Sequence, residues 1–512
     1  MFGGKIIKKE VLKLTENKPN ILMIMTDQQR YDSLGCYGFE AAHTPHLDQL
    51  AKEGVLFENN YVPNPICTPS RSCLWTGKHL PGHSVYRLYD NLPKDEVLFS
   101  KRLQQIGYQT ALFGKLHVSS RIYEASDRHP NDGFDIYEWC MEASIDLDSP
   151  FNGYAKWLRK NHPGFYKELK EKGRKLKNIP QEVHLTHWAA ARTIDYIKKW
   201  DRKKPFFCMM SVFDPHNPYE DYPVEMLKLI DEKKIPDPIF KKGEIINKPE
   251  GIKREHEHTY LGSFNSFTIE DLRKMRLGYH VSLAFLDQEV GKVLKALEDK
   301  GVVGNTLVIF TSDHGDMLGD HQLLVKGAFF YDPAVKVPLI MRWPDKLKGE
   351  KRISQLVQLH DLAATVLSAA RFSSSDLKDI MPESCNLFPL IQGEKKKLHD
   401  YVICCYRDSG INDKSEYFDP PIYATMLRDK RFKLNVYHNI GNFVDNLQGE
   451  LYNMEEDKHE FNNLWNEPAF LEEKNRMMGK LLDWVVSQEL NLGSRGGESF
   501  PDSSQRLNNK LK

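Results

Sequence analysis

Cys67 stands two residues before Pro69 and four before Arg71, in the run Pro65-Ile66-Cys67-Thr68-Pro69-Ser70-Arg71 that continues through Leu74-Trp75-Thr76-Gly77. The run reads as the entrance to a helix, where proline is tolerated and free backbone N–H groups favour an anion. Asp27-Gln28 follows one apolar run and Asp313-His314 follows another, so each pair is a hard or borderline metal-ligand set at a strand end. Lys115 and His117, then His216 in Asp214-Pro215-His216-Asn217-Pro218-Tyr219, also follow apolar runs, and Lys326 comes shortly after Asp313. Taken singly these residues are bland. An Asp after a strand is more often a turn or cap, a Lys a solvated charge, and a Cys a small buried hydrophobe.

The elements that must position them alternate. Asn20 to Met25 reads as a buried parallel strand ending at Thr26-Asp27. Thr44 to Gly54 reads as a helix with Thr44 as N-cap, Pro45 at its first position and Gly54 as its close. A helix from Val97 to Gly107 leads to the strand Thr110–Phe113. Further strands follow at Pro205–Phe213, Thr306–Phe310 and Val337–Arg342, with a long amphipathic helix over Leu272–Asp299. Alternating strands and helices imply a large, mostly parallel α/β sheet sandwiched by helices, with polar clusters at the carboxyl ends of strands.

Residues 20–395 are therefore expected to form the catalytic domain, after an N-terminal extension at 1–19. Residues 219–267, rich in Lys, Pro and Glu, read as an insertion near the site mouth with little periodicity. From 396 to 490 short strands at Tyr401–Cys405, Tyr423–Arg428, Phe432–Val436 and Glu450–Tyr452 precede a helix near Ala469–Gln488. They predict a small α+β C-terminal subdomain with a short antiparallel sheet. Residues 491–512, rich in Ser, Gly and Asn, read as a flexible tail.

The chain has 512 residues, 40% hydrophobic, enough for a large core. Its formal net charge is zero, so no global field points to nucleic acid or to an anionic membrane. The eight cysteines form no CxxC pair, and Met1 to Asn20 shows no signal-peptide pattern. A cytoplasmic protein with reduced thiols is the expectation, and the oligomeric state is left open.

The pattern Cys67-Thr68-Pro69-Ser70-Arg71 resembles the C-x-P-S-R signature of the sulfatase family, and thirteen positions from Pro65 to Gly77 fit that pattern. Gly107-Tyr108-Gln109-Thr110, Gly114-Lys115-Leu116-His117, Ser312-Asp313-His314-Gly315-Asp316 and Glu450-Leu451-Tyr452 are similar to other family stretches. Phe113 and Leu116 are bulkier or more apolar than the usual pattern. The resemblance covers Asn20 to about Gln488 and implies the fold of the alkaline phosphatase superfamily. It implies that a formylglycine-generating maturation enzyme oxidises Cys67 to Cα-formylglycine (3-oxoalanine). It implies that Asp27, Gln28, residue 67, Asp313 and His314 share one divalent cation. Calcium is the family habit, and His314 keeps manganese or magnesium open. Many relatives carry Asp where this chain has Gln28 and Asn where it has His314.

By the same resemblance Arg71 steadies the hydrated aldehyde and Lys115 binds sulfate oxygen. His117 takes a proton from residue 67 to release sulfate, His216 faces the ester oxygen, Lys326 bridges sulfate and leaving group, and either His216 or Lys326 protonates the departing alcohol. His83 and Asn91 stand in similar contexts. The implied reaction is hydrolysis of a sulfate monoester, with a saccharide or other small organic sulfate as substrate. Tyr86, Arg87, Tyr89 and Asp90 are expected at the mouth. Phosphonate monoester or phosphodiester hydrolases share the start and end of the pattern but usually lack the Lys115/His117 pair, which favours sulfate. A non-enzymatic binder of sulfated saccharides is the remaining alternative.

Overall fold

The computed structural model describes residues 18–438 and 447–491. The expected N-terminal extension, apart from its last two residues, and the expected tail, apart from Asn491, which ends the last helix, lie outside the described residues.

The strands β1 (Asn20–Thr26), β2 (Val55–Tyr61), β3 (Gln109–Gly114), β4 (Ile136–Trp139), β5 (Phe206–Ser211), β6 (Thr306–Ser312), β7 (Leu339–Arg342) and β8 (Lys351–Gln358) form one sheet. Their order is β4-β3-β5-β1-β6-β7-β2-β8. From β4 to β6 every pairing is parallel. β7 runs antiparallel to both β6 and β2, and β8 returns parallel to β2. The mostly parallel sandwich is thus present, with β7 as its reversed strand.

Both faces of this sheet are apolar because each residue along a strand alternates sides. On β1, Ile21, Met23 and Met25 pack into one core with Leu74 and Trp75, Phe99 and Val366. Leu22 and Ile24 pack into the other with Trp188, Leu283, Leu286 and Val290. The second face is covered by the helices Leu185–Lys199 and Ile269–Asp299. The longer of these opens with a reciprocal cap between Thr268 and Asp271, which satisfies its first free N–H groups.

A second, antiparallel sheet has the order β12-β11-β10-β9. Its strands are β9 (Tyr401–Arg407), β10 (Tyr423–Asp429), β11 (Phe432–His438) and β12 (Gln448–Asn453). One face, with Val402, Cys404 and Tyr406, joins the first core of the large sheet. The other face, with Ile403, Cys405 and Leu434, meets Met477, Leu481 and Trp484 of the Leu471–Asn491 helix. The small sheet is therefore sandwiched between that helix and the body.

Two local expectations need correction. Thr44 precedes the Pro45–Lys52 helix, but its hydroxyl accepts from Gly35 N at 3.1 Å and pairs with Asp48 at 3.2 Å, and does not cap the helix. Segment 219–267, expected to show little periodicity, contains the helix Glu250–His258, which buries Ile252, Glu255 and His256. Among the described residues no helix is long and apolar enough to cross a membrane.

Candidate active site

Four neighbouring parallel strands, β3, β5, β1 and β6, deliver the site at their carboxyl ends. Lys115 follows β3, Asp214 to His216 follow β5, Asp27 and Gln28 follow β1, and Asp313 and His314 follow β6. This is where open α/β sheets gather ligands. Gly114 lets β3 turn there: with φ of +114°, a Cβ would stand 1.8 Å from Ser211 O. The Cys67–Thr76 helix closes over these ends with Cys67 as its first residue, and all ten residues are buried. Ser70 Oγ donates to Asp313 O at 2.6 Å and fastens the helix to β6.

The Cys67 sulfur lies at the centre. It is 3.0 Å from His314 Nε2, 3.3 Å from Lys326 Nζ and 3.8 Å from Asp27 Oδ1. Asp27, Cys67, Asp313 and His314 are all buried, and one ligand atom from each lies within 4.8 Å of the others. His314 Nδ1 meets Gly315 O at 3.0 Å; a proton donated there leaves Nε2 as a lone pair facing the carboxylates. Two carboxylates and one such imidazole suit a divalent cation of hard or borderline type, so the residues fit the group that the resemblance implies.

Gln28 is oriented differently. Its amide oxygen accepts from Lys326 at 2.6 Å, its amide nitrogen donates to Asp316 at 2.6 Å, and its backbone N–H donates to Asp313 Oδ1 at 3.1 Å. To hold a cation it would have to share one oxygen with an ammonium. The backbone reaches this position through a left-handed conformation, φ +65°, and His117 does the same at +57°. Such strain persists only where the surroundings enforce it.

Arg71 was expected to reach residue 67. Its guanidinium instead donates to Asp313 at 2.6 Å, Asp27 at 3.1 Å, Lys115 O at 3.0 Å and Ser211 Oγ at 3.0 Å. Its interaction with residue 67 is electrostatic. Lys115 Nζ donates to Asp27 at 2.6 Å. Burial would raise the Asp27 carboxyl, but Lys115, His216, Arg71 and Lys326 hold it well below the usual range. At Cys67 burial and Asp27 oppose ionisation, yet Lys115, Lys326 and His314 bring the thiol below its ordinary value. Burial favours neutral His314, and Asp313 outweighs it to raise the imidazole.

His216 is positioned as an acceptor. Its Nδ1 meets Asn217 O at 2.7 Å and its Nε2 meets Lys326 Nζ at 2.8 Å. An N–H donated to the carbonyl leaves Nε2 to accept from the ammonium. Burial and Lys326 push His216 well below its usual pKa. Of the two candidates for the general acid, His216 turns its Nε2 toward Lys326, and Lys326 is the one that carries a proton in this pair. His117 is also held neutral, by burial and by Lys115, with Nε2 2.9 Å from Thr68 Oγ1 and Nδ1 buried without a partner. Glu124 fixes this loop by accepting from the backbone of His117, Val118 and Ser119.

Of the other sequence candidates, Asn91 steadies the same loop through Ser120, at 2.7 Å. His83 turns instead to Cys73, 3.1 Å from its sulfur. Of the residues expected at the mouth, Arg87 lies over Tyr417 and pairs with Asp408, Tyr89 N donates to Tyr417, and Asp90 accepts from the backbone of Tyr86 and Arg87. Sequence reasoning missed Asp316, Tyr219 and Tyr260. Asp316 takes the Tyr219 hydroxyl at 2.6 Å, Tyr260 donates to Asn217, and Lys326 lies 5.7 Å from the Tyr260 ring centroid. Asp316, the second acid of Ser312–Asp316, was the available signal; Tyr260, inside the 219–267 segment, had none.

Residues 19–372 match the sulfatase family profile, and residues 319–487 match the profile described as N-sulphoglucosamine sulphohydrolase, C-terminal. An arylsulfatase of Clostridium perfringens is 28% identical over 471 residues, covering 89% of this chain and 92% of its own. An N-acetylglucosamine-6-O-sulfatase of Bacteroides thetaiotaomicron is 25% identical over 526 aligned positions, covering 92% and 87%. The phosphonate monoester hydrolase of Silicibacter pomeroyi shares the fold, with a TM-score of 0.76 at 23% identity over 92% of this chain and 96% of that one. With the family profile spanning well over half the sequence, the chain belongs to the sulfatase family and is a sulfuric ester hydrolase.

Proposed function

We propose that the chain hydrolyses the sulfate monoester of a saccharide or other small alcohol, with residue 67 matured from cysteine to formylglycine. The observation that carries this reading is the position of the Cys67 side chain, within 4 Å of His314, Lys326 and Asp27 at the mouth of four strand ends. The hydrated aldehyde would supply the attacking oxygen. A divalent cation on Asp27, Asp313, His314 and residue 67 would lower that oxygen's pKa and orient it. The carboxylates suit Ca2+ or Mg2+, and the His314 nitrogen also suits Mn2+.

The chain's own residues supply the rest. Lys115 and Lys326 place ammonium groups where charge on the sulfuryl oxygens develops. Lys326 gives a proton to the departing alcohol oxygen, and His216 Nε2 holds the ammonium in direction for it. His117, kept neutral by burial, takes a proton from residue 67 when sulfate leaves. Arg71 keeps Asp27 and Asp313 apart from each other's repulsion and in register. Arg87 with Asp408, Tyr89 and Tyr417 combine charge and aromatic surface at the mouth, which suits a sugar ring.

A second reading uses the same centre on a phosphonate monoester or phosphodiester, and the shared fold of the Silicibacter enzyme supports it. Lys115 and His117 favour sulfate. Two measurements test the proposal on protein co-expressed with a formylglycine-generating enzyme. Peptide mass analysis should find the aldehyde at residue 67, and turnover of an aryl sulfate should exceed that of an aryl phosphonate. An active protein carrying an unmodified thiol, or a preference for phosphonate, would overturn it.

A further inference from the structure

Outside the strand-end site, a carboxylate, a thiol and an imidazole converge a second time. Asp361, Cys385 and His399 each bring one ligand atom within 4.8 Å of the others. They come from three separate segments at the seam between the two sheets. Asp361 opens the Asp361–Ala369 helix just after β8, Cys385 lies in the loop after the Ser374–Ile380 helix, and His399 stands two residues before β9. Asp361 is fully buried, while Cys385 is partly exposed and the His399 side chain is 15% exposed, so solvent reaches the cluster from one side.

The cluster is organised around the carboxylate. Asp361 Oδ1 accepts from Cys385 N at 2.8 Å, and Oδ2 accepts from Gln358 N at 2.8 Å and meets His399 Nε2 at 2.8 Å. The neighbouring His360 is buried, with Nε2 3.0 Å from Glu383 O and Nδ1 without a partner. An N–H donated to that carbonyl leaves Nδ1 as a bare lone pair. The His79 ring lies edge-on to His360 with centroids 4.5 Å apart, and its Nδ1 is buried and unpartnered too. A plain Asp–His ion pair accounts for Asp361 and His399. Cys385 adds a hydrogen bond to His399, which brings the thiol into the same cluster, and the two buried imidazole nitrogens nearby remain without partners.

We propose that Asp361, Cys385 and His399 bind a zinc-type transition-metal dication. Thiolate and imidazole donors favour such ions over calcium or magnesium, so this site and the carboxylate-rich catalytic one select different metals. Three protein ligands on a solvent-facing edge leave a fourth position for water. Binding replaces the protons on Cys385 and His399 and ties the segment entering β9 to the start of the Asp361 helix, which makes the ion a staple between the two sheets.

The test uses Co2+ as probe on the full chain carrying Cys67→Ser, so that residue 67 contributes no thiolate. One equivalent should produce a thiolate-to-cobalt charge-transfer band and raise Tm. Adding Cys385→Ser should remove the band, and adding His399→Gln should weaken Co2+ binding at least about 10-fold. Circular dichroism confirms that each variant is folded, and the His399 variant preserves the test if the Cys385 variant is not. Absence of a thiolate band in the Cys67→Ser protein would overturn the proposal. So would a band that survives Cys385→Ser. Neither outcome bears on the sulfatase reading, which does not involve these residues.

Discussion

Lys433 and Lys326 are both buried lysines, and their surroundings are opposite. Lys433 Nζ, at the seam of the two sheets, donates to Asp332 at 2.5 Å, Glu460 at 2.7 Å and Phe330 O at 3.0 Å, so all three of its N–H groups are used and two carboxylates face one cation. Nearby Lys248 meets Glu450, which also accepts from Tyr331, Tyr452 and Asn435. Lys326 has no carboxylate: it meets Gln28, His216 and the Cys67 sulfur. Around it Arg71 pairs with Asp27 and Asp313, Lys115 pairs with Asp27, and Asp316 is held by Gln28 and Tyr219. Lys433 and its two carboxylates satisfy one another. The site instead leaves Lys326 without a carboxylate and His117 Nδ1 without a partner. One buried network holds the fold together, and the other is a strained receptor that the fold holds together.

The sharpest way to break this contrast is to remove each lysine. Lys433→Met leaves Asp332 and Glu460 buried without their cation, and should cost about 3–5 kcal/mol of stability. Urea unfolding would measure it, with activity per folded molecule unchanged. Lys326→Met should lower kcat/KM by about 10²–10³-fold, the size expected for a charge-stabilising donor, while leaving the unfolding midpoint unchanged or higher. Equal losses of stability in the two variants would end the distinction. His117→Ala should follow Lys326→Met with a smaller loss, about 10²-fold and mainly in kcat, because its proton transfer belongs to sulfate release.

How much of this was legible in the sequence depended on what each segment had to bury. β1, β5 and β6 lie inside the sheet with both faces covered, so each reads as a short apolar run whose end announces Asp27, His216 or Asp313. β2 is half polar, β4 has four residues and β8 begins with exposed charged residues, so all three escaped the reading. The reversal of β7 depends on its partners and leaves no trace in Leu339–Arg342 itself. In the site, residue identities were readable because chemistry constrains their type. Their partners were not: Arg71 could not be assigned to the carboxylates, nor His216 to an accepting role, without the bonds to Asp313, Asn217 and Lys326.

Stability as a function of pH should report on buried groups from both regions at once. Burial lowers His83 and His280 to about 3 and His438 to about 4, from 6.5. Between those values and 6.5 the unfolded chain binds more protons than the native one, so stability falls as pH drops below about 6.5. Burial raises Glu255 from 4.5 to about 8 and Asp287 from 3.8 to about 7. There the native state binds more protons, and stability falls as pH rises through the 4–8 window. The unfolding midpoint should therefore peak near neutrality. Glu255 packs against Gly327 and accepts from Ala328 N at 2.7 Å, one step beyond Lys326. Glu255→Gln keeps that contact without the charge. Its stability relative to the native chain should increase from pH 4.5 to 8 and then level off. A constant difference across that range would mean that Glu255 is ionised throughout.

The smallest expected effect separates burial from pairing. Arg192 reaches Glu138 with two bonds, at 2.7 and 2.9 Å, a geometry as good as any at the seam. Both side chains keep about a third or a quarter of their surface in water, at 31% and 26%. Water already solvates each charge when the other is absent, so neither is stranded by the loss of its partner. Arg192→Met should therefore change stability by only about 0–1 kcal/mol, and added salt should shrink the difference further. A loss comparable to that of Lys433→Met would mean that ion-pair geometry alone sets the value of these contacts. In that case the contrast between the paired Lys433 and the unpaired Lys326 would lose its physical basis, since burial is what makes the missing carboxylate at Lys326 matter.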